Sequence, residues 1–190
     1  MSRKFYEKDQ LILSDNSLII AGDEFGGTGG SYFDDSLHPH FTCAYHLSRI
    51  YARDNNDGLE SYQFLYSSSS SSSSADDDQG PLESLIHGNQ TSAFKRKFLF
   101  PTNEKINRIE GRIVYKSILS PNGTNLTTSI VTGLRFFSTR GRASPSYEGE
   151  LGEMFEEEFK GYILGYVTGR SGQYLEQLQF FWYRTAEVDE

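Results

Sequence analysis

The sequence predicts an all-β protein. Fourteen Phe and twelve Tyr among 190 residues, beside eighteen Gly but only two Met and one Trp, suit short strands joined by tight turns better than packed helices. Residues 161–183, GYILGYVTGRSGQYLEQLQFFWY, alternate with a period of two. Leu178, Phe180 and Trp182 fall on one face, and Gln177, Gln179, Phe181 and Tyr183 on the other. Turn signals separate similar apolar runs along most of the chain.

The elements follow in order. The first twenty residues are polar apart from an apolar patch at 18–21, and a glycine cluster, DEFGGTGGSYFDD, occupies residues 23–35. After a His-containing connection, residues 47–53 and 59–66 read as a hairpin around the turn DNNDG at 54–58. The serine tract 67–74 and the acidic run 76–78 hold no apolar surface to bury, so an inserted, disordered loop is expected at about residues 67–80. Residues 94–100, 106–119 and 129–139 read as further strands, with turns at 101–103 and 121–123. Six carboxylates crowd residues 148–158, where Gly149 and Gly152 weaken any helix, so a loop and a strand edge are expected. In the terminal pair, Gly169-Arg170-Ser171-Gly172 reads as the turn, with both glycines free to take positive φ.

A chain of this length supports one well-buried core, so residues 1–190 are expected to form a single domain with its core at about 18–184. The net charge of −8 argues against a nucleic-acid partner, whose phosphates are bound by Lys and Arg. Lys95, Arg96 and Lys97 form the one dense basic patch and read as a solvated strand end. No apolar run approaches the ~18 residues that cross a bilayer, so no membrane insertion is expected. The polar opening MSRKFYEKDQ lacks a signal-peptide apolar region, and the lone Cys43 precludes an internal disulfide; both favour a cytoplasmic location. Three Asn-X-Thr triplets, at Asn89, Asn122 and Asn125, would accept glycans were the chain secreted.

Five blocks occur in one order: GGTGGSYFDD at 26–35, the hairpin LSRIYARD with GLESYQFLY, the pair His87-Gly88, NEKINRIEGRIVYK, and the terminal GYILGYVTGRSGQYLEQLQFFWY. Together they resemble the jacalin-related lectins over about residues 25–183. The resemblance implies a β-prism, in which three antiparallel sheets of about four strands each enclose one apolar core. It also implies a sugar site at one end of the prism, between the glycine-rich first loop and the loop carrying the family's G-x-x-x-D signature. These elements map onto Gly30 and onto Gly172, Gln173, Tyr174 and Glu176.

A pyranose offers adjacent hydroxyls that both donate and accept, so a compact site needs backbone N–H donors beside a carboxylate. By the resemblance, the N–H groups of Gly30, Gln173 and Tyr174 donate, Glu176 accepts, and the Tyr174 ring covers an apolar patch of the sugar. The family's closing aspartate is Glu176 here, which is expected to push the carboxylate out by one methylene, about 1.5 Å. The first hairpin, where some members carry a second signature, also ends in glutamate, at Glu60. In the family's galactose binders a free amino terminus at the glycine matching Gly30 helps select the sugar. Gly30 is internal here, so mannose or glucose is expected over galactose. Four or five hydrogen bonds at a net ~0.5–1.5 kcal/mol each give about millimolar to high-micromolar affinity. A homo-oligomer would raise such weak binding through several linked sites.

His38, His40, Cys43 and His46 match no tight zinc spacing, so no metal site or cofactor is expected, and the resemblance implies an early strand for Cys43, where a small buried thiol is ordinary. Carboxylates abound, yet sequence spacing alone cannot set two of them across a scissile bond, and the family resembled is not catalytic. The competing reading is a prism that serves as a protein-interaction or scaffold module and has lost sugar binding.

Overall fold

The computed structural model of the chain describes residues 11–12, 18–42, 44–55, 58–68, 81–89, 96–101, 103–119, 122–146 and 152–184. The strands are β1 (Leu11–Ile12), β2 (Leu18–Gly26), β3 (Ser31–Asp34), β4 (Tyr45–Asn55), β5 (Gly58–Ser68), β6 (Leu82–Glu83) and β7 (His87–Gly88). They continue as β8 (Arg96–Leu99), β9 (Ile106–Leu119), β10 (Asn125–Ser138), β11 (Glu153–Glu158), β12 (Tyr162–Ser171) and β13 (Leu175–Arg184). A 3-10 turn at Asp35–Leu37 is the one helical element among the described residues.

Three antiparallel sheets result. The first has the order β1-β2-β13-β12-β3, the second β6-β5-β4-β8 with β7 also paired to β5, and the third β10-β9-β11. This is the β-prism, with five, five and three strands rather than four on each face. In the third sheet Ala143 adds only a single bridge to Phe137, so that face is narrower among the described residues.

The inward faces meet in one aromatic core. Leu178, Phe180 and Trp182 are completely buried, as the alternation predicts. Phe64 of the second sheet meets Phe136 of the third edge to face, with ring centroids 5.9 Å apart, and Phe25 of the first stacks on Phe155 of the third at 3.9 Å. One glycine with positive φ recurs in each face. Gly26 (φ 114°), Gly88 (φ 94°) and Gly152 (φ 123°) back onto the carbonyls of Glu176, Glu60 and Ile113, where a β-carbon would collide.

Several expectations are corrected. Gly169, Arg170 and Ser171 belong to β12, the turn is displaced to residues 172–174, and neither Gly169 nor Gly172 has positive φ. Gly169 is required for closeness instead, because a β-carbon there would run into the Gln177 carbonyl and the Phe33 ring. Part of the glycine cluster is strand β3, which pairs with β12 from Ser31 opposite Ser171 to Asp34 opposite Thr168. Ser67 and Ser68 end β5 opposite His46 and Tyr45; the rest of the expected insertion lies outside the described residues, as does Cys43. The acidic segment does form an edge strand, β11, paired with β9.

Candidate functional site

The glycine-rich loop and the β12–β13 turn meet at one end of the prism. β2 ends at Gly26, and the Gly27 N–H donates to the Glu176 carbonyl at 2.6 Å. The chain then passes Gly29 and Gly30, which has φ 66°, before β3 begins beside Ser171. On the other side, the Gly172 N–H donates to the Tyr174 carbonyl at 3.0 Å and closes the turn.

A β-bulge lies beside the Glu176 carboxylate. Arg170 pairs with Gln177 and Ser171 with Leu175, so Glu176 is the extra residue of β13 at that point. Leu175 and Glu176 are consecutively buried, and Glu176 is only 3% exposed. Its carboxylate fills the space left by absent side chains. A β-carbon on Gly29 or on Gly30 would lie 2.5 Å from Glu176 Oε2, and one on Gly172 would lie 3.4 Å from Oε1. Oε2 has no hydrogen-bond partner among the described residues.

The added methylene therefore does not carry the acid outward, as the glutamate-for-aspartate change suggests. Glu176 keeps the parity of Leu178, Phe180 and Trp182, so its longer side chain turns inward beneath the glycines. Burial raises its carboxyl above the ordinary value, and the Arg170 guanidinium nearby opposes that rise. The same guanidinium donates from Nε to the Gly29 carbonyl and from Nη2 to the Gly30 carbonyl, both at 2.9 Å.

Gly30, Gly172 and Gln173 are exposed and Tyr174 is half-buried. Lys116 Nζ stands 4.5 Å from the centroid of the Tyr174 ring. Of the five residues expected at the site, Gly30, Gly172, Gln173 and Tyr174 lie on the two loops that converge here, and Glu176 lies beside them in the first residues of β13. Arg170 and Lys116, which the sequence reading did not single out, stand among them. Arg170 belongs to the Gly-Arg-Ser-Gly stretch, but its partners are two carbonyls about 140 residues away, and no local pattern encodes that.

Beside the tip opens a cavity of about 950 Å³ whose lining includes Tyr32, Phe33, His87 and Gln173. His87 Nε2 lies 2.9 Å from Asp35 Oδ1, the Tyr66 hydroxyl donates to Asp35 Oδ2 at 2.6 Å, and Phe33 stacks on the imidazole at 3.6 Å. Elsewhere, Glu60 pairs with Arg53 at 2.6 Å, while part of the turn before it, residues 56–57, lies outside the described residues. His38 and His40 hold their rings 6.0 Å apart, and His46 is buried with Lys105 Nζ 2.8 Å from its Nε2.

Comparison with known proteins agrees with this architecture. The family model described as the jacalin-like lectin domain matches residues 23–181. Jacalin-related lectin 9 of Arabidopsis thaliana is 28% identical over 147 residues, covering 77% of this chain; the chain spans only 40% of that protein's length. Among solved structures, the artocarpin–mannotriose complex superposes with a TM-score of 0.65 at 20% identity, covering 86% of this chain and 96% of that one. A mannose-binding jacalin-related lectin from Ananas comosus gives 0.63 at 19% identity, with 86% and 96% covered. Wild-type Malaysian banana lectin gives 0.61 at 16% identity, with 87% and 99% covered. At these identities the likeness is one of fold.

Proposed function

The chain belongs to the jacalin-like lectin domain family, and from that premise we propose that it is a non-catalytic carbohydrate-binding protein whose site is the tip where Gly30 and Glu176 meet. The N–H groups of Gly30, Gln173 and Tyr174 donate to sugar hydroxyls, Gly172 lets the ligand approach the backbone, and Glu176 accepts. Mannose- or glucose-type glycans are the ligand class, and no metal or cofactor takes part. One observation carries the reading: a carboxylate oxygen without a partner among the described residues, lodged between the two predicted loops. Such an oxygen gains a hydrogen bond when a ligand hydroxyl reaches it. The mannose-binding neighbours of the same fold support the sugar class.

A second reading is favoured by the burial of that same acid, which at 3% exposure lies under the loop rather than beside a ligand. On this reading the prism is a protein-interaction module. Titration calorimetry with methyl α-mannoside, methyl α-glucoside and methyl α-galactoside separates the two. Binding of the first two, lost in Glu176→Ala, supports the lectin. Equal binding by both proteins removes Glu176 from the site, and no binding of any sugar, on a glycan array as well, favours the interaction module.

A further inference from the structure

We propose that Arg170 is the residue that organises the sugar tip, fixing the direction of the Gly30 N–H by gripping the two carbonyls on either side of that residue's backbone. The inference rests on the lectin reading for its functional consequence, but its structural part stands alone.

The glycine-rich loop is anchored at its start, where Gly26 pairs with Gln177 and the Gly27 N–H donates to the Glu176 carbonyl, and residues 28–30 follow outside any strand. Residues 26–30 read GGTGG, and glycine loses more conformational freedom on ordering than any other residue. Ordering such a loop when ligand arrives would consume much of the small binding free energy that a few hydrogen bonds supply. Something must order it beforehand, and it must do so through the backbone, because four of the five residues have no side chain.

Arg170 meets that need. Its Nε and Nη2 donate to the Gly29 and Gly30 carbonyls at 2.9 Å each, from a strand about 140 residues further along the chain. A guanidinium presents these donors in one rigid plane, so two adjacent carbonyls must align with it together. The Gly29 carbonyl shares its peptide plane with the Gly30 N–H. In a trans peptide the two point in opposite directions, so holding the carbonyl toward Arg170 aims the N–H away from it. The Gly30 carbonyl fixes the Ser31 N–H in the same way, at the point where β3 begins to pair with Ser171.

The register of the terminal hairpin explains why position 170 does this. The bulge lies between Arg170 and Ser171, so Arg170 is the last residue in regular register with β13 before Glu176 is turned inward. One irregularity thus places the guanidinium on the loop's carbonyls and the carboxylate against its α-carbons. The loop is held from both sides, and Arg170 acts as a positioning residue with no requirement to touch sugar.

The test compares wild type, Arg170→Lys and Arg170→Met by two readouts. In amide relaxation of the sugar-free proteins, Gly30 and Ser31 should have order parameters near the rigid-backbone value of about 0.85 in wild type and below about 0.6 in Arg170→Met, with Leu178 and Phe180 unchanged. Affinity for methyl α-mannoside should fall about tenfold or more in Arg170→Met. Arg170→Lys, which keeps the charge but loses the fork, should resemble Met rather than wild type. Unchanged order at Gly30 in Arg170→Met overturns the clamp whether or not sugar binds, and wild-type behaviour of Arg170→Lys overturns the role of the planar fork. If no protein binds sugar while Gly30 still loosens in Arg170→Met, the clamp stands and the lectin reading fails.

Discussion

Glu157 of β11 and Trp182 of β13 meet across two faces of the prism, where the indole N–H donates to carboxylate Oε1 at 2.5 Å. Oε2 of the same carboxylate accepts the Asp23 N–H at 2.7 Å, and a side chain at Gly22 would strike it. The acid is 6% exposed, and burial outweighs both donors in raising it from 4.5 to about 7.

This arrangement makes stability pH-dependent with a defined sign. The folded protein holds the Glu157 proton more tightly than the unfolded chain does, so this residue's contribution falls as pH rises from about 4.5 to about 7 and is flat beyond. The full span is at most about 3 kcal/mol. Urea unfolding across pH 4–8 should show that term as a pH-dependent difference between wild type and Glu157→Gln; a difference that does not vary with pH refutes it.

His46 works in the opposite direction. Burial, and then the Lys105 ammonium, lower its imidazole from 6.5 to about 4, so its contribution is lost as pH falls from about 6.5 through about 4. Between about pH 4.5 and 6.5 the Glu157 and His46 slopes oppose one another. His46→Gln should therefore uncover a stability that declines with rising pH, and Glu157→Gln one that increases. The same urea series measures both.

At the tip, Gly29 and Gly30 should respond differently to alanine. The near neighbours of a β-carbon at Gly29 all belong to the Glu176 side chain, whereas one at Gly30 also lies 2.7 Å from the Ser171 backbone and sits at φ 66°. Each single substitution should destabilise by about 1–3 kcal/mol. Adding Glu176→Ala should restore most of the stability of Gly29→Ala and little of that of Gly30→Ala, as thermal unfolding of the two double variants will show.

On the proposed lectin reading, sugar affinity should rise with pH. Ligand hydroxyls donating to Glu176 favour its ionised form, while burial in the free protein favours the protonated one. Binding therefore releases a proton wherever the free carboxyl is still protonated, and calorimetry from acidic to neutral pH should show affinity increasing to a plateau. Glu176→Gln should bind more weakly and without that pH dependence.

Most strands were legible because alternation and turn residues are local. The reading of 106–119 matches β9 at both ends, and the hairpin reading lies within β4 and β5. β3 was hidden because Ser31-Tyr32-Phe33-Asp34 has no alternating apolar pattern; it becomes a strand by pairing with β12. The inward aim of Glu176 was present in the parity it shares with Leu178, Phe180 and Trp182, but a charged residue on a core face is normally read as a ligand-facing exception. Here three glycines make room for it.

By itself, the sequence determined the all-β class, the strand alternation and the family, since each depends on residue types at fixed local spacing. Tertiary structure alone decided that glycines from two distant segments make room around the Glu176 carboxylate, that Arg170 holds the Gly29 and Gly30 carbonyls and that Trp182 meets Glu157. Those outcomes depend on bulges and on partners 25 to 141 residues apart, and no periodicity along the chain carries that information.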